Sequence, residues 1–321
     1  MLRDYFNKIK NPFIFQGKMS YKHYFEGWYF KQVDTDSKTS LSLIFGISLN
    51  PKKPSSFIQV ILKEIHQQIQ TWFIEYPIEA FRVDQQPYTL HIDKSHFSLD
   101  EVHIDISTKD LMMKADLSYD DLHPLTHSFY SPNIMGPFAY LPMMQCSHGI
   151  VSMKHTVNGT AQINQVNLVF NQGRGYIEKD WGSSFPNRYV WVQANHFELE
   201  DVGFMLSVAS IPVAMLSFEG IIAQVSTNNK VYRIATYYGA KKQSLKMIEN
   251  GFELAIKQGH LTLKVIAKYE DRVALKSPRL GEMSSTIKEG LGGIVEIELL
   301  DKKQTLLKLK SAYSGIEVEA Y

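Results

Sequence analysis

The side chains best able to do acid–base chemistry crowd into one stretch, Gly173-Arg-Gly-Tyr-Ile-Glu-Lys-Asp-Trp-Gly-Ser-Ser-Phe-Pro186. Read as a strand, it puts Tyr176, Glu178 and Asp180 on one face and Ile177, Lys179 and Trp181 on the other. Two carboxylates two positions apart on one face repel, which favours the retention of one proton at neutral pH. A carboxylic acid held in that way is what general-acid catalysis requires. The same two acids can instead pair with Arg174, Lys179 or Arg188 in a structural network, and their residue types leave both readings open. A few residues on, Trp191, Gln193 and Asn195 alternate onto one face, a polar and aromatic row suited to orienting a ligand.

Two further blocks stand out. In Tyr24-Phe-Glu-Gly-Trp-Tyr-Phe-Lys31, Glu26 sits inside a dense aromatic run that residue type alone assigns to core before pocket. In Pro142-Met-Met-Gln-Cys-Ser-His-Gly149, His148 stands beside a glycine and is the histidine best placed to handle protons, with a hydrogen-bonded structural role as its alternative. His123 and His127 have i,i+4 spacing, but Pro124 between them removes the helix that a metal pair would need. Cys146 lacks the local signatures of cysteine nucleophiles. Gly173-Arg-Gly175 has no following helix pattern, Gly290-Leu-Gly-Gly293 lacks the Gly-Lys-Ser/Thr of a phosphate loop, and there is no His-Glu-x-x-His. No resident metal or cofactor is expected.

Short alternating runs must position these groups. They cover residues 40–48, 56–62, 102–107, 111–117, 162–170, 189–199, 231–237, 261–269 and 293–300, separated by polar or glycine-containing breaks. Helical patterning is confined to residues 2–9 and 241–248, the second followed by Asn250-Gly251 as a stop signal. Regular short strands with turns imply an all-β fold of barrels or sandwiches with few short helices. The apolar run 202–218 is too short for a membrane span and contains Pro212, so it reads as two buried strands with a turn or bulge there. The window 120–142 holds four prolines and no strand pattern, and so long a connection marks a functional loop or a junction. Two units are therefore expected, residues 1–145 and 146–321, with the site at or beside their junction.

With 321 residues, 34 Lys and Arg against 33 Asp and Glu, and a net charge of +1, no strong field draws the protein to nucleic acid. Membrane contact is expected to be peripheral at most. A single cysteine forms no internal disulfide, and Asp4 interrupts the opening where a secretion signal needs an apolar run, so a cytoplasmic protein is expected. Aromatic residues make up 12% of the chain, which suits a β fold or a ring-lined pocket.

Together, Phe25-Glu-Gly-Trp-Tyr-Phe-Lys31, Ser131-Pro-Asn-Ile-Met-Gly136, Cys146-Ser-His-Gly149, and Gly175-Tyr-Ile-Glu-Lys-Asp-Trp-Gly-Ser-Ser-Phe-Pro186 with Trp191-Val-Gln-Ala-Asn195 resemble the tocopherol cyclase family. That resemblance implies two lipocalin-like β units, related in architecture to hydratases of the hydroxyneurosporene-synthase type. It also implies closure of a prenylated quinol into a chromanol, or hydration of another isoprenoid alkene, in an apolar aromatic-lined pocket. The ligand would be a lipid-like or prenylated aromatic small molecule. On this reading Glu178 or Asp180 donates the proton, and Trp28, Tyr29, Trp181 and Trp191 form a cation-stabilising wall. His148, Gln193 and Asn195 orient the ligand's oxygen, with Glu26 and Tyr176 alongside. A carrier using the same cavity without proton transfer, or a cavity filled by the chain's own side chains, are the competing expectations.

Overall fold

The computed structural model describes residues 2–34, 39–142, 144–199, 201–213, 216–228 and 230–321. A nine-residue helix, α1 (Leu2–Lys10), opens the chain. Eleven strands follow: β1 (Tyr24–Val33), β2 (Thr39–Leu49), β3 (Ser55–Glu64), β4 (Gln70–Pro77), β5 (Phe81–Gln85), β6 (Tyr88–Ile92), β7 (Ser95–Phe97), β8 (Glu101–Ser107), β9 (Met112–Asp120), β10 (Cys146–Ile163) and β11 (Val166–Gly182). Their order in the sheet is β4-β3-β2-β1-β11-β10-β9-β8-β7-β6-β5. Every neighbouring pair runs antiparallel, and the sheet curls into a nearly closed barrel of lipocalin type.

A second sheet follows, with β12 (Tyr189–Ala194), β13 (Gly203–Val213), β14 (Leu216–Ser226), β15 (Val231–Ala235), β16 (Lys241–Ile248), β17 (Gly251–Gln258), β18 (Leu261–Lys268), β19 (Val273–Arg279), β20 (Glu282–Asp301) and β21 (Gln304–Glu319). Its order is β15-β14-β13-β12-β21-β20-β18-β17-β16, with β19 beside β20. The chain thus forms two compact units, one of residues 1–185 and 276–285, the other of 186–275 and 286–321.

Each unit has its own apolar core. In the first, Trp28, Phe30, Phe45 and Phe97 pack with Phe13 and the apolar faces of β8 to β11. Ring contacts tie them, Phe45 stacking on Phe97 at 4.2 Å and Phe30 meeting Phe45 edge-on at 5.5 Å. In the second, Val190, Val192 and Ala194 of β12 pack with Phe204, Phe252, Val295 and Ile316.

Three expectations change in the structure. The division at 145/146 cuts off strands that the first sheet needs, because β10 and β11 return after the long loop to pair with β9 and β1. Residues 241–248 are not helical but form edge strand β16, and Asn250, at φ +55°, turns the chain into β17. Apolar residues three apart imitate a helix there, and the hairpin pairing decides the outcome. Pro212 lies inside β13, paired with Ser217, and is therefore a strand residue and not the turn; positions 214 and 215 lie outside the described residues. Past Asp120, the last residue of β9, the window 120–142 carries no strand, as expected, and it includes a short 3-10 helix, Gly136–Tyr140.

Candidate functional site

Strand register assembles the acid–base groups. In β11, Glu178 faces Tyr29 of β1, Asp180 faces Gly27, and Tyr176 faces Lys31. On the other side β10 sets His148 opposite Asp180 and Ile150 opposite Glu178. Tyr176, Glu178, Asp180 and His148 therefore share the face turned away from the barrel interior. Even so, Tyr176, Glu178 and His148 are buried.

His148 lies between the two acids. Its Nδ1 is 2.8 Å from Asp180 Oδ1 and its Nε2 is 3.4 Å from Glu178 Oε2. The Tyr176 hydroxyl donates to the same Oε2 at 2.5 Å. Burial would strip the proton from His148, but the Asp180 and Glu178 charges outweigh it and lift its pKa to about 9. The ring is thus an imidazolium at neutral pH, bonded to Asp180 on one side and facing Glu178 on the other. The same charges, together with burial, push the Tyr176 hydroxyl and the Cys146 thiol well above their ordinary ranges. Cys146 is therefore a protonated bystander, 3.9 Å from Asp180.

One donor atom from each of His148, Glu178 and Asp180 lies within 4.8 Å of the others, close enough to surround a cation. Yet the imidazole turns a different nitrogen to each carboxylate, and a single ion can take only one of them. A doubly donating imidazolium uses both.

The remaining predicted groups lie elsewhere. Glu26, Trp28 and Trp181 project from the opposite face, into the first barrel. Trp28 is buried, and its indole N–H donates to the Phe13 carbonyl at 2.7 Å. The Lys179 ammonium sits 4.2 Å from the Trp28 ring and 5.5 Å from that of Trp181, pairs with Glu26, and donates to the Ile14 carbonyl at 2.7 Å. Glu26 also accepts from the Gln16 and Gly17 amides and the Tyr24 hydroxyl. The aromatic faces expected to stabilise a substrate cation therefore already hold one that belongs to the chain. Glu26 anchors the segment 11–17, which crosses the barrel end and plants Phe13 among Phe30, Tyr88 and Phe97. A carrier's usual ligand space, the barrel interior, is packed here with the unit's own rings.

Tyr29 stays on the acidic face, its hydroxyl 3.0 Å from Ser42 Oγ. Trp191 and Gln193 lie in the second unit on the face of β12 opposite its core residues, Asn195 follows just beyond the strand's end, and all three are buried. Trp191 lies so close over Gly315 that a Cβ there would come within 2.8 Å of its ring. Two open grooves, one lined by Asp84, His91 and His96 among others and one by Tyr269, Lys288 and Tyr321, contain none of the predicted site residues.

Sequence reasoning missed Lys31 and Gln59 on the acidic side of the first sheet, and Glu289 in the second, all of them buried. Lys31 could have been found, since it continues the alternation from Tyr29. Glu289 carries no such signal beside three glycines.

A family model described as tocopherol cyclase-like matches residues 123–320, well over half of the chain. The chain belongs to the tocopherol cyclase-like family. That match covers β10 and β11 with His148, Glu178 and Asp180, and the second unit as far as residue 320. Solved structures share the fold. The crystal structure of CghA superposes with a TM-score of 0.62 at 10% identity, covering 92% of this chain and 88% of that one. An AttH-like protein from Nitrosomonas europaea gives 0.58 at 11% identity, covering 91% of each chain. Kievitone hydratase from Nectria haematococca gives 0.55 at 9%, covering 92% of this chain and 88% of its own. No curated protein sequence matches. This member of the family also has no helix, among the described residues, long and apolar enough to cross a membrane.

Proposed function

We propose that this protein is an acid catalyst that closes a ring on, or adds water to, the alkene of a prenylated aromatic or similar isoprenoid substrate. The observation that carries the reading is the buried imidazolium of His148 shared between Asp180 and Glu178, with the Tyr176 hydroxyl on Glu178. Family membership supports cyclisation, and one protein of the same fold is a hydratase by name.

Magnitude selects the donor. The Asp180 and Glu178 charges hold the proton on His148, so the imidazolium is its store, and a proton held near 9 is a weaker acid than an ordinary glutamic acid by about five powers of ten, which favours delivery through Glu178. The imidazolium passes its Nε2 proton to Glu178 across the 3.4 Å contact, Glu178 delivers it to the alkene, and the carboxylate it leaves is stabilised by the Tyr176 hydroxyl. Asp180 keeps the imidazolium charged. The proton adds to the less substituted alkene carbon and the cation forms at the tertiary one. The substrate's phenol oxygen then closes the C–O bond, and its proton returns to the cluster. In hydration, water takes the place of the phenol. Cyclisation consumes no net proton, so product and substrate are isomers.

The test is incubation with a prenylated quinol in heavy water, read by chromatography and mass spectrometry. One deuterium is expected on the carbon that was the alkene. Glu178→Gln is expected to lower the rate at least about 100-fold, measured at a temperature at which the variant remains folded by circular dichroism. Wild-type turnover by Glu178→Gln would remove the donor assignment.

A further inference from the structure

From residue 122 to residue 153 the chain carries no Asp, Glu, Lys or Arg, although charged residues make up 21% of the sequence. An uncharged run of that length belongs in a core, yet its middle stands in water. Phe129 is 86% exposed, Leu141 53% and Tyr130 51%. Helix α1 extends the same surface, with Tyr5 and Phe6 exposed. The Phe6 ring lies 6.1 Å from Tyr140, and Tyr140 lies 6.0 Å from Phe129.

This surface is built, not frayed. The Tyr5 hydroxyl donates to the Tyr140 carbonyl at 2.9 Å, and the Tyr140 hydroxyl donates to the Phe129 carbonyl at 2.7 Å. The Asn133 amide donates to the Ile9 carbonyl at 3.0 Å and its oxygen accepts from the Met135 N–H at 2.8 Å. Loop carbonyls that already have partners lose little on leaving water, which distinguishes a segment able to enter an apolar phase from a solvated one. Lys10, on the last turn of α1, is exposed on this side of the helix, whereas the Lys8 ammonium donates to the Gln16 carbonyl at 3.1 Å.

We propose that the loop 128–141 and the exposed side of α1 form a docking surface for an anionic lipid bilayer. The rings seat at the boundary between headgroups and acyl chains, where Tyr and Phe are favoured. Lys10 meets the anionic headgroups, and the loop brings no charge that would have to be desolvated. A few side chains of this depth give reversible attachment rather than insertion. The inference stands apart from the proposed chemistry.

The test is flotation of the full chain with phosphatidylcholine vesicles, with and without phosphatidylglycerol. Wild type is expected to float with the anionic vesicles, less so at high salt. Phe129→Asp and Leu141→Asp are each expected to lower partitioning about tenfold or more. Lys10→Glu is expected to weaken attachment to anionic vesicles only. Both apolar positions are exposed, so an unchanged melting temperature separates lost docking from lost folding. Failure of wild type to float with either vesicle overturns the proposal, as does a Phe129→Asp variant that floats like wild type. A dimer in solution that Phe129→Asp dissolves would assign the patch to a second copy instead, and would also overturn it.

Discussion

Raising the pH across the His148 titration is the most direct probe of the bridged imidazolium. Its pKa of about 9 in the folded chain, against 6.5 as its ordinary value, corresponds to about 3 kcal/mol in favour of folding. Because the folded pKa is the higher one, that contribution is complete below pH 6.5. It fades as the pH rises, to about 1 kcal/mol at pH 8 and almost nothing by pH 10. The wild-type curve alone would hide it. Burial lowers the Lys179 pKa to about 8 against the opposing pull of Glu26, so Lys179 destabilises the fold while charged and stops doing so as the pH rises from 8 to 10.5. That gain is also about 3 kcal/mol, opposite in sign and overlapping in range. The informative quantity is therefore the stability of wild type minus that of His148→Gln, from urea unfolding at pH 6, 8 and 10. The difference should shrink by about 3 kcal/mol across the series, since Lys179 is common to both proteins and cancels. A difference that stays level from pH 6 to pH 10 would refute the charged bridge.

Other outcomes follow from named contacts. Lys179→Met leaves Glu26 charged, buried and short of a partner and should cost about 3–5 kcal/mol in urea unfolding, whereas Glu26→Gln with Lys179→Met should recover most of that. Gly175→Ala places a Cβ 2.0 Å from His155 Nε2, so it should lower stability by about 1–3 kcal/mol, and His155→Ala should relieve much of the added strain. Gly27 faces Asp180, and a Cβ there would meet only Ile44, at 3.8 Å. Gly27→Ala should then keep the wild-type melting temperature, while Gly27→Val narrows the approach to Asp180 and lowers deuterium incorporation.

The alternation of Tyr176, Glu178 and Asp180 against Lys179 and Trp181 was legible because a strand admits only two faces. Which face turns inward was not, since closure of the sheet decides that, and it carried Trp28 and Trp181 away from the acids. His148 could be nominated but not partnered: only the register between β10 and β11 brings it to Asp180, 32 positions along the chain. The unit boundary was misplaced for a related reason. The proline-bearing loop looks like a junction, but hydrogen bonding across β9, β10, β11 and β1 spans it. Lys179 illustrates the reverse case. Its type suggested a partner for Glu178 or Asp180, whereas the aromatic block and Glu26 had made a place for it inside.

The seam between β1 and β11 joins residues about 150 positions apart in the chain. On a ribosome adding about 5–20 residues per second, the inner edge of β1 therefore waits on the order of 10–30 s for its neighbour. Through that interval β1 to β4 form a meander with an open, apolar edge, the kind of template that recruits stray strands. Production of this protein should accordingly be limited by what shelters the nascent first half, and slower initiation or holdase chaperones should raise the soluble yield more than any change to the finished fold.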